Sequence, residues 1–240
     1  MNILDEIVSV KKTKLPIDLT VKQREDPIPF LQKDAFQIIA EVKKGSPSLG
    51  LLKPDLDVCE TAIFYEHNGA SAVSVLTEED HFYGSVDDLK KVKQHISIPV
   101  IRKDFIFTKE QIIESYNLGA DAILLIVSVL KTIDKVKELI DFAENLKLSI
   151  LLETHNADEI NIAIAAGAKI IGINNRNLKT FKTDIQTSID LKSHIPPHII
   201  SVSESGIHTL EDLNTLKTAG FDAVLIGEAF IRNKDFLKEI

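Results

Sequence analysis

The chain has 240 residues, 44% of them hydrophobic and 27% charged, with a formal net charge of −8. That length suits one large domain with a substantial core, and the acidic balance excludes a global nucleic-acid or membrane-surface role. Cys59 is the only cysteine, which excludes a disulfide framework or a thiolate metal site within one chain and fits a reducing cytoplasm, the expected location.

At the N-terminus, Ile3, Leu4, Ile7, Val8 and Val10 fall on one side of a helical wheel. Lys11, Lys12 and Lys14 follow near its end, where the macrodipole favours cations. The segment lacks the long apolar core of a signal peptide, and no later run approaches the roughly 18 apolar residues of a membrane span. Pro27-Ile28-Pro29-Phe30 then reads as a rigid connector. Residues 1–35 are expected to form a helical extension lying against the domain, too short to bury a core of their own.

Four versions of one phrase follow: Asn68-Gly69-Ala70-Ser71-Ala72-Val73, Leu118-Gly119-Ala120-Asp121-Ala122-Ile123, Ala166-Gly167-Ala168-Lys169-Ile170-Ile171 and Ala219-Gly220-Phe221-Asp222-Ala223-Val224. Each glycine closes a helical pattern at the C′ position, and each apolar run after it reads as a buried strand. The glycines lie roughly 50 residues apart, longer than one helix plus one strand. A second strand and helix therefore fit in each interval, and strand-like runs occur at 38–42, 100–103, 149–153 and 199–203. Four repeats of two units make eight strands. Near-continuous apolar strands alternating with amphipathic helices predict a parallel sheet covered outside, and eight of them predict an α/β fold, a (β/α)8 TIM barrel forming a single domain over 1–240. A doubly wound open sheet is the other architecture; no Gly-x-Gly-x-x-Gly follows the first strand to support it.

Charge then collects at predicted strand ends, where catalytic groups of such barrels sit. Glu41 and Lys43 lie two apart at the end of the first strand and project to one side, with Val42 turned to the helices. Lys103 ends the third strand with Arg102 facing away, Glu153 ends the fifth, Asn174 and Arg176 follow the sixth, and Glu204-Ser205 close the seventh. Lysine and glutamate are seldom buried without partners, so converging ends of both signs point to an active site for an anionic substrate. The plainer alternatives are surface lysines and structural partners, but buried ion pairs seldom add net stability. Arg176 offers a planar fork for a carboxylate or phosphate. The turns Ser205-Gly206-Ile207-His208-Thr209 and Ile226-Gly227-Glu228-Ala229 have the form of a phosphate site, with glycine letting backbone N–H groups approach. His67, His81, His95, His155, His194, His198 and His208 show no metal-ligand spacing, and no metal is expected.

With these fragments in place the chain resembles the indole-3-glycerol-phosphate synthase family nearly end to end. The resemblance rests on Ile3-Leu4-Asp5-Glu6-Ile7-Val8, Glu41-Val42-Lys43-Lys44-Gly45-Ser46-Pro47-Ser48, Val75-Leu76-Thr77-Glu78 to Phe82-Tyr83-Gly84-Ser85 and Arg102-Lys103-Asp104-Phe105. It continues through Asn174-Asn175-Arg176-Asn177-Leu178, Ser203-Glu204-Ser205-Gly206-Ile207 and Leu225-Ile226-Gly227-Glu228. Gly45 departs from it, standing where a bulkier residue is expected, and implies a looser loop after the first strand.

The resemblance implies closure of a carboxyphenylamino-deoxyribulose phosphate to indole-3-glycerol phosphate with loss of CO2 and water, without a cofactor. It implies Lys103 as general acid, Glu153 as base or proton relay, and Lys43, held by Glu41, orienting the carboxylate. Asn174, Arg176 and Ser46 would position the anthranilate and the leaving hydroxyl, and Phe105 and Leu225 would wall the aromatic ring. Glu204 and Ser205 would complete the mouth, and Gly206, Gly227 and Glu228 would hold the phosphate. A monomer is the default it carries. The competing readings are a phosphoribosylanthranilate isomerase-like enzyme, which would want a strand-end cysteine, a non-catalytic phosphate sensor, and a Schiff-base aldolase.

Overall fold

The computed structural model of the chain describes residues 3–15, 20–33, 35–47, 50–177 and 180–240, apart from the side chain of Ile3. Ser48 and Leu178, and the Ile3 side chain of the predicted helical stripe, lie outside the described residues. Eight strands form a closed barrel: β1 (Gln37–Val42), β2 (Ala72–Leu76), β3 (Val100–Lys103), β4 (Ala122–Ile126), β5 (Ser149–Thr154), β6 (Ile170–Asn174), β7 (Ile200–Glu204) and β8 (Ala223–Ile226). Every pairing is parallel between sequence neighbours, and β1 closes on β8 through Ile39 opposite Leu225. The expected (β/α)8 barrel is the observed fold.

The helices alternate with the strands as α2 (Val58–His67), α3 (Val86–Lys93), α4 (Lys109–Asn117), α6 (Ile133–Asn145), α7 (Ala157–Ala165), α8 (Gln186–Leu191), α9 (Leu210–Thr218) and α10 (Glu228–Arg232). Before them comes α1 (Ile3–Lys12), and α5 (Val127–Leu130) directly follows β4. The apolar run 122–130, which reads as one strand-length segment, is thus split between β4 and α5. Ser85, Thr108, Thr132, Asn156 and Thr209 accept backbone N–H bonds at helix starts. The repeat glycines sit one residue past the caps of α2, α4, α7 and α9 with φ between 84° and 97°, the left-handed turn that makes room for the next strand.

Strand alternation divides the core in two. Val73, Val75, Ile123, Leu125, Ile171 and Ile173 face the helices. Ile39, Ala72, Ile101, Leu124, Leu151, Val202 and Leu225 fill the barrel interior. The extension closes that interior at both ends. Phe30 and Leu31 join the inner core below, where the Ile28 N–H donates to Asp121 and Lys33 pairs with Asp222, both just ahead of a strand. Leu4 and Ile7 of α1 cover the other end. The buried stripe of α1 is narrower than its wheel predicts, because Val8 and Val10 stay half-buried. Residues 45–51, expected as plain loop, contain a two-stranded antiparallel pair, Gly45 opposite Leu51 and Ser46 opposite Gly50. No helix among the described residues is long and apolar enough to cross a membrane.

Candidate active site

At the C-terminal end of the barrel a cavity opens to solvent. Glu41, Lys43, Ser46, Lys103, Phe105, Glu153, Asn174, Arg176, Ser205, Gly206, Leu225, Gly227 and Glu228 all line it. Glu204 is the exception among the residues singled out from sequence. It lies fully buried beneath the cavity floor, reaching Lys103 from below.

The charges are arranged as interlocked pairs. Lys43 Nζ is 2.9 Å from Glu41 Oε1. Lys103 Nζ is 3.0 Å from Glu204 Oε2 and 3.6 Å from Glu153 Oε2. The nearest carboxylate to Lys103 is therefore Glu204, with Glu153 next. Arg102 turns outward as expected, donating to Glu114, Ser115 and Asp104 beneath α4.

Burial works against the Lys103 ammonium, but Glu204, Glu153 and Glu41 outweigh it and hold the group above the ordinary lysine range. Burial likewise opposes the Glu41 charge, and Lys43 and Lys103 overcome it and keep that carboxyl below its usual value. Glu153 is also lowered: desolvation pushes up, while His155, Lys103 and Asn174 pull down harder. Glu204 moves the other way. Desolvation, helped by the neighbouring Glu153 charge, lifts it above the carboxylate range despite Lys103.

Two glycines create the space for these carboxylates. A Cβ on Gly227 would run into Glu41, and one on Gly172 of β6 would run into Glu204 Oε1. Gly227 thus has a local role besides the backbone approach expected of it.

The β6 and β7 ends are tied together. Asn174 Oδ1 accepts the Arg176 N–H at 3.0 Å, and its side chain also bonds Glu153. Asn175 is buried and donates to Ser203 Oγ and to the Ser205 carbonyl at 2.9 Å. Ser205 and Gly206 have φ of 70° and 77°. A serine held there is strained, and the Asn175 bond fixes the turn that presents its backbone. The Arg176 guanidinium donates to the Phe181 carbonyl and stands 3.9 Å from Glu228, whose other oxygen pairs with Arg232.

The apolar wall is wider than the sequence indicated. Leu4, Ile7, Phe82, Leu124 and Ile126 join Phe105 and Leu225 along the cavity, and the Phe82 and Phe105 rings lie 6.1 Å apart. Leu124 was readable, being in register two residues before the end of β4; the contribution of α1 was not. His155 was missed as well, although its place two residues after Glu153 puts it on the same side of the strand. Cys59 lies on α2 and does not line the cavity. Among the described residues no group of three His, Cys, Asp or Glu side chains is arranged to hold a metal ion.

A parallel eight-stranded barrel with lysine–glutamate pairs lining a cavity at its strand ends defines a protein of the (β/α)8 class. A family model for indole-3-glycerol phosphate synthase matches residues 8–240, and the chain belongs to that family. A protein of that name from Dehalococcoides mccartyi strain 195 is 46% identical, over 92% of this chain and 83% of the relative. Another from Thermoanaerobacter pseudethanolicus is 44% identical over 99% and 95%, and one from Chloroherpeton thalassium is 49% identical over 84% and 77%. Among solved structures, the N-acetylmannosamine-6-phosphate 2-epimerase of Clostridium perfringens superposes with a TM-score of 0.64 at 16% identity, over 85% of this chain and 91% of that one. That likeness concerns the barrel alone.

Proposed function

We propose that the cavity closes 1-(2-carboxyphenylamino)-1-deoxyribulose 5-phosphate to indole-3-glycerol phosphate, releasing CO2 and water. This is the carboxy-lyase activity that the family name describes, a step of tryptophan biosynthesis. The observation that carries the reading is Lys103, charged and half-buried between Glu204 and Glu153 at the floor of a cavity with an apolar wall.

In this reading the aromatic ring packs against Phe105, Leu225, Leu124 and Ile7, which accounts for so much apolar surface in a charged site. Ser46, Lys43, Asn174 and Arg176 meet the carboxylate. The phosphate takes backbone N–H groups of the 205–206 and 227–228 turns. Its negative charge avoids the Glu228 carboxylate, which Arg232 holds at 3.0 Å.

Lys103 donates its proton to the ketone oxygen as the ring carbon that bears the carboxylate forms the new C–C bond. The raised proton affinity of Lys103 suits this step: the proton stays bound at neutral pH and moves only toward an oxygen that is becoming alkoxide-like. Loss of CO2 then returns its bonding electrons to the ring and restores aromaticity. Dehydration follows, with the hydroxyl leaving as water after protonation by a lysine and Glu153 receiving the proton that is lost as the double bond forms.

The test is turnover of this substrate by indole fluorescence, with EDTA and no added cofactor. We expect product from the wild-type chain and a loss of at least roughly 100-fold in Lys103→Ala. No product from folded wild-type protein, or near-normal turnover in Lys103→Ala, would overturn the reading.

A further inference from the structure

His155 takes no part in the chemistry above, yet it stands half-buried beside the group assigned as base. Glu153 and His155 lie two apart at the end of β5 and share a side, while Thr154 between them turns away to donate to the Gly172 carbonyl at 2.8 Å. His155 Nε2 comes within 3.3 Å of Glu153 Oε1, the oxygen opposite the one that faces Lys103. By strict geometry Nε2 makes no hydrogen bond there, but the imidazole and the carboxylate attract each other across the gap.

The ring is located from its other edge. Nδ1 lies 3.1 Å from Glu159 Oε2, and the His155 backbone N–H donates to the same oxygen at 2.9 Å. Glu159 is itself held in the first turn of α7, where the helix favours an anion: Asn156 donates to its second oxygen, and its own N–H returns to Asn156 Oδ1. A chain of contacts thus runs from a helix start, through an imidazole, to one edge of the Glu153 carboxylate. The opposite edge meets Lys103, and Asn174 also bonds the group.

We infer that His155 is a positioning residue for Glu153, which fixes the carboxylate between Lys103 and α7 and keeps it ionised for its role as base. The inference rests on the reaction proposed above. Burial opposes a charged ring, but Glu153 and Glu159 overcome it and raise the imidazole to about 10. These are the ionisable groups that face it, and both favour the imidazolium. At neutral pH the cavity therefore carries a third cation beside Lys43 and Lys103, against Glu41, Glu153 and a Glu204 that burial leaves only partly ionised.

The experiment is a kcat–pH profile of wild type, His155→Ala, His155→Gln and Glu159→Gln, with melting temperatures recorded for each. With charge and support both lost, His155→Ala should lower kcat by roughly 10- to 100-fold, the loss expected for a misplaced catalytic group, with KM little changed. Its acid limb should move to higher pH by about one unit, because Glu153 loses a neighbouring cation. His155→Gln, which offers an amide N–H near the position of Nε2, should recover much of kcat but keep the displaced limb. Glu159→Gln should shift the limb in the same direction by less. An active wild type whose acid limb stays in place in all three variants would overturn this inference alone, including the case where kcat falls only as the folded fraction does. An inactive wild type would overturn it together with the proposed reaction.

Discussion

Lys11 Nζ, on α1, lies 2.5 Å from Oδ1 of Asp104, the residue that follows Lys103. Asp104 is fully buried and also accepts from Arg102 at 3.0 Å and Thr77 at 2.6 Å. Burial opposes its charge, yet Arg102 and Lys11 hold its carboxyl below the usual range. Two further charged contacts of this segment are weaker anchors. Lys14–Asp80 is exposed, and Glu6–His81 is 3.7 Å long, and such surface pairs contribute about 0–1 kcal/mol. The Lys11 contact therefore decides how firmly Leu4 and Ile7 are seated on the cavity.

Lys11→Met should loosen α1 while leaving Asp104 three partners, Arg102, Thr77 and the Phe105 N–H. We expect a stability loss of about 1.5–3 kcal/mol, the range for a hydrogen bond to a charged group, and a raised KM with a smaller change in kcat. Steady-state kinetics and thermal melts of the variant check this. An unchanged KM would mean that α1 stays in place without the link.

Gly172→Ala should damage the site from beneath. The added methyl would meet Glu204 Oε1, which has no hydrogen-bond partner among the described residues to draw it aside, and overpacking of this kind typically costs about 1–3 kcal/mol. Displacing Glu204 moves the nearest counter-charge of Lys103, so kcat should fall with stability. In a Glu204→Ala background the same methyl has space, and the additional loss from Gly172→Ala should shrink. Equal losses in both backgrounds, measured by denaturant unfolding, would exclude the collision as the cause.

Gly45→Ala tests the loop after β1. From sequence, a glycine there implies looseness. In the fold its vacant side is filled: an added Cβ would come within 2.6 Å of the Tyr83 ring and 2.5 Å of the Gly50 carbonyl. Gly45 therefore permits Tyr83 to pack beside the short antiparallel pair that carries Ser46. The alanine variant should raise KM and lower stability, and adding Tyr83→Ala should recover part of the loss, since the backbone clash with Gly50 persists. Full activity in Gly45→Ala alone would return the residue to the role of a mere gap.

The barrel was readable because its signal is local and repeated: each Gly-Ala turn ends a helix and starts an apolar strand, and strand period two sorts Glu41 and Lys43 from Val42. The charged site was readable for the same reason, since a strand end in a closed parallel barrel has only one place to point. What could not be read depends on distances around the ring. Lys103 and Glu204 are 101 positions apart in sequence, and only closure through β8 and β7 sets that pair closer than Lys103 with Glu153. The seating of Leu4 and Ile7 over the cavity depends on a tertiary ion pair at Lys11, to which a helical wheel is blind. Tyr83 beside Gly45 joins two loops, where periodicity carries no information.

His155 should also govern stability in mild alkali. Its folded value is raised from 6.5 to about 10 by Glu153 and Glu159, which outweigh burial. A group raised in this way binds its proton more tightly folded than unfolded. Its contribution is complete below the unfolded value near 6.5 and disappears as pH rises through the folded value near 10. The wild-type melting temperature should therefore decline between pH 6.5 and 10. In His155→Gln, where nothing titrates at that position, the curve should start lower and decline less. Parallel curves for the two proteins across that window would show that the imidazole is neutral in the folded chain, and that Glu153 is held ionised by Lys103 and Asn174 without it.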